Sequence, residues 1–160
     1  MKHFIMIFMT VFAALTVTAE TRIYKGNSTY SSDCIATFYN NKLHKGNSTY
    51  SSDCIFTFYQ GKICKGNSTY SSDCVATFKN GKLYKGNSTY SSDCIATFYD
   101  DKIFKGNSTY TSDCVATFKN GKIYKGSSTY SSDCIMTTSE YLHPAVVTWI
   151  VYYCYRGAFL

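Results

Sequence analysis

Hydrophobic and polar positions along most of the chain follow a pattern that repeats every 20 residues. Within one unit, residues 74–79 read Cys-Val-Ala-Thr-Phe-Lys, which is rich in β-forming residues and lacks the 3.6-residue period of an amphipathic helix. The next two residues, Asn80-Gly81, favour a two-residue hairpin turn, because a type I′ turn needs positive φ at both positions. Residues 82–85 are then the return strand, so the unit is predicted to be a β-hairpin.

This turn also predicts the register of the hairpin and the face that is buried. The expected cross-strand pairs are Thr77–Tyr84, Phe78–Leu83 and Lys79–Lys82. Side chains alternate between the two faces of a strand. The face expected to be the core therefore carries Cys74, Ala76, Phe78 and Leu83, and the opposite face carries Val75, Thr77 and Tyr84.

The second half of the unit is rich in turn-forming residues at both ends. Gly86-Asn87 predicts another tight turn, and Ser91-Ser92-Asp93 predicts a bend held by bonds from side chains to the backbone. Residues 88–90 are expected to form a short strand between them. The Asp of the bend is interpreted as a cap for it, since the loop of calcium-binding β-rolls is absent.

Six such units follow one another without insertion or deletion. The fold class predicted from them is all-β, with six tandem 20-residue β-hairpin repeats in a flower-like or propeller-like array. The alternative is a β-solenoid with 20-residue coils, in which identical residues stack into ladders. Near-identical units do not bring different residues to one point, so no catalytic residues are nominated and an enzyme is not expected.

The repeated motif also resembles known proteins. The run Thr-Tyr-Ser-Ser-Asp, a strand, an Asn-Gly turn and Lys-Ile-Tyr-Lys-Gly resembles the short hairpin repeats of bacterial secreted proteins, and it is similar to the β-flower type of hairpin array. The resemblance covers residues 22–137. It implies the fold and carries no catalytic residues over to this chain.

The two ends of the chain depart from the repeat, so the sequence is predicted to contain three regions. Residues 1–19 have a short basic start, an apolar run of 12 residues and a small-residue stretch that ends at Ala19. This is the pattern of a secretory signal peptide cleaved near Ala19, which places the mature protein in the periplasm, at the cell surface or outside the cell. Residues 20–137 are the repeat domain, and residues 138–160 are a divergent apolar tail or cap.

The tail is expected to be a final buried strand or a cap over the array. Residues 145–155 are almost entirely apolar or aromatic, but 11 residues are too few for a spanning helix. A sharper alternative is contact with a membrane interface through aromatic side chains, namely Trp149, Tyr152, Tyr153 and Tyr155.

Composition narrows the class of protein without naming a function. Hydrophobic residues make up 45% and charged residues 16%, which excludes intrinsic disorder, and the chain holds 16 Tyr but few of the residues that dominate helical bundles. Removal of residues 1–19 would leave 15 basic and 10 acidic residues, a net charge of +5. This modest charge does not by itself indicate an anionic partner.

Six of the eight cysteines occupy the same position in successive units. They are Cys34, Cys54, Cys74, Cys94, Cys114 and Cys134. In an oxidising compartment they could pair as disulfides, and otherwise each is a small buried thiol. Metal binding ranks below both because paired Cys-x-x-Cys spacing is absent, and no metal or cofactor is expected. Cys64 is interpreted as an incidental replacement of the Tyr, Phe or His found there in other units.

A repeated basic and aromatic face is the candidate ligand site. Its members are Lys42, Lys45, Lys62, Lys65, Lys82, Lys85, Lys102, Lys105, Lys122, Lys125, Tyr84 and Tyr124, with aromatics in phase with Tyr50 beside them. Anionic polysaccharide or a membrane surface would be the partner, and nucleic acid is not expected. The alternative, favoured by the modest charge, is that the lysines protect exposed strand edges from pairing.

Five Asn-Ser-Thr sequences match the glycan acceptor pattern. The preferred interpretation is that each Asn serves its Gly-Asn turn. The function expected from all of this is a secreted, non-enzymatic repeat protein with a structural or surface-interaction role. The alternative is a binding module for anionic carbohydrate or a lipid surface through the repeated lysine and tyrosine face.

Overall fold

A computed structural model describes residues 20–159 as twelve β-strands followed by one α-helix. The predicted signal peptide, residues 1–19, lies outside the described residues. The strands are β1 (Thr21–Lys25), β2 (Cys34–Tyr39), β3 (Lys42–Lys45), β4 (Cys54–Tyr59), β5 (Lys62–Lys65), β6 (Cys74–Lys79), β7 (Lys82–Lys85), β8 (Cys94–Tyr99), β9 (Lys102–Lys105), β10 (Cys114–Lys119), β11 (Lys122–Lys125) and β12 (Cys134–Thr138). The helix α1 spans Pro144–Cys154, and a short 3-10 helix spans Arg156–Phe159.

All twelve strands form one closed antiparallel barrel, in which each strand pairs with its neighbours in sequence and β1 also pairs with β12. Five hairpins are continuous in the chain, and the sixth is assembled from β12 and β1. That pair has the register of the other hairpins, with Tyr24 opposite Thr137 as Tyr84 is opposite Thr77. The predicted array of 20-residue hairpins is confirmed. The antiparallel pairing excludes the solenoid, whose coils would stack in parallel.

The predicted hairpin register is confirmed in detail. Thr77 lies opposite Tyr84, Phe78 opposite Leu83, and Lys79 opposite Lys82. Asn80 and Gly81 both have positive φ, at 51° and 74°, as a type I′ turn requires. We call the end of the barrel that carries these two-residue turns the turn end, and the opposite end, where the longer connections lie, the loop end.

Replacement of Gly81 tests how strictly this turn selects its residues. A Cβ at Gly81 would lie 2.9 Å from the carbonyl oxygen of Phe98 in the next hairpin. Asn41 and Asp101 occupy the same turn position in other units with φ of 59° and 57°. We therefore expect Gly81→Asn to cost under about 1 kcal/mol, and Gly81→Val, which is β-branched, to cost about 2–3 kcal/mol. Urea unfolding measures both, and equal costs would contradict the turn argument.

The predicted face of the repeated cysteines is wrong, because the first strand of each hairpin begins with a β-bulge. Cys94 lies opposite Tyr84, whereas Ala96 lies opposite Leu83, so Ile95 is an extra residue in the ladder. The bulge places the cysteine on the outer face and lets Ile95 pack partly against the core. A strict alternation of faces cannot hold across such an insertion.

The predicted short strand at residues 88–90 is also wrong. Gly86-Asn87 forms the expected turn, but residues 88–89 are irregular and Ser91–Asp93 forms a 3-10 turn. The Ser88 hydroxyl accepts a bond from the Tyr90 amide at 3.1 Å and donates to the Asp93 carboxylate at 2.5 Å. These side-chain bonds hold the connection in a shape that does not pair with a neighbouring strand.

Two rings of apolar side chains line the inside of the barrel. Six are aliphatic, namely Ile23, Leu43, Ile63, Leu83, Ile103 and Ile123. The second ring consists of Ala36, Phe56, Ala76, Ala96, Ala116 and Met136. Phe56 is the one large aromatic in a ring otherwise made of Ala and Met, so the barrel interior departs from sixfold symmetry at this unit.

The helix α1 fills the barrel interior. Six consecutive residues, 146–151, are buried, which is the pattern of a helix surrounded by apolar groups on all sides. The tail therefore does fill the array, but as a helix and not as the strand that was one expectation. None of the helices within residues 20–159 has the length and apolar character that a membrane-spanning helix needs.

A helix forms here because the barrel offers no partner for another strand. Every strand of the closed barrel is already paired on both sides, so an extended segment inside would leave its backbone groups without hydrogen bonds. A helix pairs these groups within itself. The start of α1 is favoured locally by Pro144 in its first turn and by His143, whose Nδ1 accepts the Ala145 amide at 3.1 Å.

Candidate ligand-binding site at the loop end

Several of the connections at the loop end are joined to a neighbouring connection by an Asn side chain. The Asn87 side-chain amide donates to the Ser71 carbonyl of the preceding unit at 2.7 Å, and Asn67 donates to Ser51 in the same way. Asn27 reaches Ser131 at 3.3 Å, which links the first connection to the last. The Asn of each Asn-Ser-Thr sequence in these pairs thus has a structural partner, in keeping with the turn interpretation.

The same connections cover the outer wall of the barrel. The carbonyl of Tyr50 lies 3.0 Å from the ring nitrogen Nδ1 of His44, an outer-face residue. The aromatic rings of the connections project into solvent with exposures of 75–77%; they are Tyr30, Tyr50, Tyr70, Tyr90, Tyr110 and Tyr130. Six exposed tyrosines therefore surround the barrel on its outer side.

The predicted basic and aromatic face separates into several surfaces. Tyr84 and Tyr124, each 9% exposed, are buried beneath the connections, so their inclusion in an exposed ligand face is wrong. The cause is the covering of the outer wall by residues 86–93 and their equivalents, which local sequence does not reveal. The exposed tyrosines are those in phase with Tyr50.

The predicted lysines divide into two sets at opposite ends of the return strands. The first set starts these strands at the turn end and lies on the outer wall, half-buried: Lys42, Lys62, Lys82, Lys102 and Lys122. In this set Lys62 donates to the Ser71 hydroxyl at 3.0 Å. The two lysines of each return strand are three positions apart, so they lie on opposite faces of the strand and cannot act as one face.

The second set ends the return strands at the loop end and is exposed. It comprises Lys45, Lys65, Lys85, Lys105 and Lys125, and Lys25 of β1 completes a ring of six that we call the mouth lysines. Lys85 lies opposite Ala76, an inward-facing residue, so the mouth lysines share the inner face of the strands. The sequence analysis missed Lys25, although it occupies the same phase.

The mouth lysines are not explained by protection of strand edges. The barrel is closed and its twelve strands are all paired, so there is no open edge to block. Among residues 20–159 the ion pair found is Arg22–Glu20, and it involves none of the mouth lysines. The repeated aspartates are engaged elsewhere, since Asp53 accepts the Ser48 hydroxyl at 2.5 Å.

A cavity of about 720 Å³ opens at the loop end, inside the ring of mouth lysines. It lies between α1 and the first strands of three hairpins, β4, β6 and β8. Its apolar floor is formed by the residues that the bulges turn inward, namely Ile55, Val75 and Ile95. Its wall is aromatic: Trp149 and Tyr153 stack with ring centroids 6.1 Å apart, and Phe56 meets each of them edge-on at 5.0 Å.

Cationic groups surround the opening of this cavity. Three mouth lysines line it, namely Lys45, Lys65 and Lys85, together with Arg156, whose guanidinium lies 5.9 Å above the Tyr152 ring. Asp53 is the one carboxylate in the lining. Trp149 is 4% exposed, so its predicted contact with a membrane interface is wrong, whereas Tyr153 is 55% exposed.

The in-phase cysteines lie half-buried on the outer wall. Cys94 donates to the carbonyls of Ala96 and Gly106 at 3.5 and 3.4 Å. Burial raises the pKa of the Cys94 thiol, and burial also raises the pKa of the Cys64 thiol. The thiols of Cys94 and Cys64 are therefore poor nucleophiles at neutral pH. Within residues 20–159 no group of three His, Cys, Asp or Glu side chains could hold a metal ion.

The fold and the repeated surfaces define a class of closed sixfold hairpin arrays, in which near-identical units present the same groups around one axis. The chain belongs to the 6-fold beta flower protein family, whose model matches residues 13–148. This is not a known enzyme family. No curated protein and no solved structure matches the chain.

Proposed function

We propose that this chain is a secreted, non-enzymatic surface-interaction protein that binds anionic lipid surfaces through the mouth lysines. Secretion rests on residues 1–19, with cleavage near Ala19. The observation that carries the proposal is the ring of six exposed lysines without a carboxylate partner at the mouth of a closed barrel. Protection of strand edges does not account for this ring, because the closed barrel has no open edge.

The ring geometry suits a surface better than a single small anion. Each Lys close to an anionic lipid surface contributes about 1 kcal/mol, and a ring allows several to engage at once. The interior of the ring is an apolar cavity with aromatic side chains, and the exposed ring of Tyr153 at its wall is of a kind that favours the region of lipid headgroups. An anionic polysaccharide would use the lysines but would leave the apolar cavity uncovered.

Cosedimentation with lipid vesicles tests the proposal. We expect the protein to bind vesicles that contain phosphatidylglycerol, to ignore vesicles of phosphatidylcholine alone, and to dissociate as salt is raised. The mouth variant changes five lysines to Gln, namely Lys45, Lys65, Lys85, Lys105 and Lys125. Its affinity should fall by at least about tenfold, which corresponds to about 1.4 kcal/mol.

The chain provides a control variant of equal charge. Five lysines of the turn end, Lys42, Lys62, Lys82, Lys102 and Lys122, can be changed to Gln with the same loss of net charge. This control should retain most of its affinity if position matters and not charge alone. Equal losses in both variants, equal binding to neutral vesicles, or binding to alginate without binding to vesicles would each overturn the proposal.

A further inference from the structure

We propose that the cavity at the mouth binds one amphipathic anion, with an acidic headgroup among the lysines and a hydrocarbon chain in the apolar interior. The inference rests on the proposed function and names the molecule that would enter this site. The cavity volume, about 720 Å³, falls within the range typical of small-molecule sites. Its lining separates an apolar interior from a cationic opening, which matches the two parts of such a molecule.

The apolar part of the site is a consequence of the bulges. Each bulge turns one aliphatic residue inward near the loop end, and Ile55, Val75 and Ile95 remain only partly buried there. Phe56, Trp149 and Tyr153 close one side of the cavity with edge-on and stacked contacts. A hydrocarbon chain in this space would cover the remaining apolar surface and gain about 25 cal/mol for each Å² removed from water.

The polar part of the site is cationic and free to bind. Lys45, Lys65 and Lys85 come from three successive hairpins and converge on one opening, where Arg156 of the C-terminal 3-10 helix joins them. The nearby Asp53 carboxylate already accepts the Ser48 hydroxyl and does not pair with these cations within the salt-bridge distance. The opening therefore favours a carboxylate, sulfate or phosphate headgroup.

The single tryptophan of the chain reports on this site. Trp149 lies in the cavity wall, and the sequence contains one Trp, so intrinsic tryptophan fluorescence changes when the cavity is filled. The probe is dodecanoate below its micelle concentration. Dodecanol supplies the same chain without the charge, and acetate supplies the charge without the chain. We expect saturable change with dodecanoate, binding at least about tenfold weaker with dodecanol, and none with acetate.

Two triple variants locate the headgroup. The variant of Lys45, Lys65 and Lys85 to Gln should bind dodecanoate at least about tenfold more weakly. The variant of Lys42, Lys62 and Lys82 to Gln alters the same three strands at the turn end and should change binding less than about twofold. Both sets lie at the surface or half-buried, so both variants should fold, and far-UV circular dichroism checks this.

The outcomes separate this inference from the proposed function. Vesicle binding without any response of Trp149 to dodecanoate would overturn the inference and leave the function standing. A dodecanoate response without vesicle binding would support the inference and overturn the function. Equal affinity for dodecanol, or equal losses in the two triple variants, would overturn the inference.

A separate observation concerns Cys64, which the sequence analysis took for an incidental replacement. Cys64 of β5 lies directly opposite Cys74 of β6. Opposed residues of antiparallel strands have Cα atoms about 4.5–5.5 Å apart, within the range for a disulfide. The geometry points to a Cys64–Cys74 disulfide that joins two neighbouring hairpins. In the other units the position of Cys64 holds Tyr, Phe or His, so this bond can form in one place only.

Formation of this bond requires an oxidant. Each thiol loses one proton, the two sulfurs lose two electrons as the S–S bond forms, and a disulfide oxidant such as oxidised glutathione is reduced to two thiols. Cys64 is fully buried after folding, so the reaction would take place while the chain folds in an oxidising compartment.

Thiol titration in denaturant tests the disulfide. Protein folded with oxidised glutathione should show six reactive thiols in place of the eight in the sequence. Trypsin should release residues 63–65 linked to residues 66–79. The matched variant Cys64→Tyr restores the residue of other units and should show seven. Eight thiols in the unchanged protein, or a link between other cysteines, would overturn this pairing.

Discussion

Replacement of Val147 by Asp is expected to abolish folding of the barrel. Val147 has no exposed surface and is the fourth residue of the helix that fills the barrel interior. An ionised carboxylate there would have no partner, and its burial costs several kcal/mol. Small domains are stable by only about 5–15 kcal/mol in total, so this one change removes most of the margin. Circular dichroism and soluble yield measure the loss.

The effect should depend on the interior position and not on helix formation. Cys154 lies in the last turn of the same helix and is exposed at the loop end. Cys154→Asp places the same carboxylate on α1 in solvent and should cost less than about 1 kcal/mol, mainly from its place near the helix C-terminus. Comparable unfolding of both variants would show that the helix does not support the barrel from inside.

Ile103→Ala is expected to produce the second largest loss, of about 2–5 kcal/mol. Ile103 is fully buried in the aliphatic ring. The helix α1 and the neighbouring strands surround it, so they cannot move far enough to fill the space that a smaller side chain would leave. Truncation therefore removes packing and leaves a cavity. Urea denaturation measures the change in the free energy of unfolding.

The chain offers a control of the same residue type. Ile35 occupies a bulge position and is 39% exposed. Ile35→Ala should cost under about 1 kcal/mol, because much of its side chain stays in water in the folded state. If the two variants lost the same stability, the aliphatic ring would not be the main source of core packing.

Much of the hairpin could be predicted because its determinants are local. Asn80-Gly81 dictates a turn geometry, and the turn dictates which residues of the two strands lie opposite each other. The bend at Ser91–Asp93 was predicted for the same reason, but Ser88, whose hydroxyl donates to Asp93, was placed in a strand. Repetition at a constant spacing then indicated an array of identical hairpins.

The errors arose where a neighbouring unit decides the local structure. Cys94 faces outward because the ladder between β7 and β8 contains a bulge, and that ladder joins two different units. Tyr84 is buried because a connection covers the outer wall. In the tail, β-forming residues such as Val146 and Ile150 favoured a strand, but a closed barrel has no strand edge left for them. The sequence His143-Pro144 was a helix-start signal within reach of sequence reasoning.

The candidate site was predicted only in its residue types. Lysine was expected to contribute the basic groups, and the mouth lysines do so, but two sets that alternate along the chain were taken for one face. The two sets of lysines are separated because each return strand begins at the turn end of the barrel and finishes at the loop end. The cavity itself combines residues from three hairpins with the helix, and no spacing in the sequence brings these together.

By itself, therefore, the sequence determined the unit: a hairpin with known turn, register and bend, repeated six times. These features depend on dihedral preferences and hydrogen bonds between residues close in the chain. The tertiary structure alone decided that β1 completes the sixth hairpin with β12, that the tail enters the barrel as a helix, and that six lysines encircle one opening. These features arise because the barrel closes. Closure pairs the backbone groups of β1 with those of β12, and it leaves an interior that an apolar segment must fill.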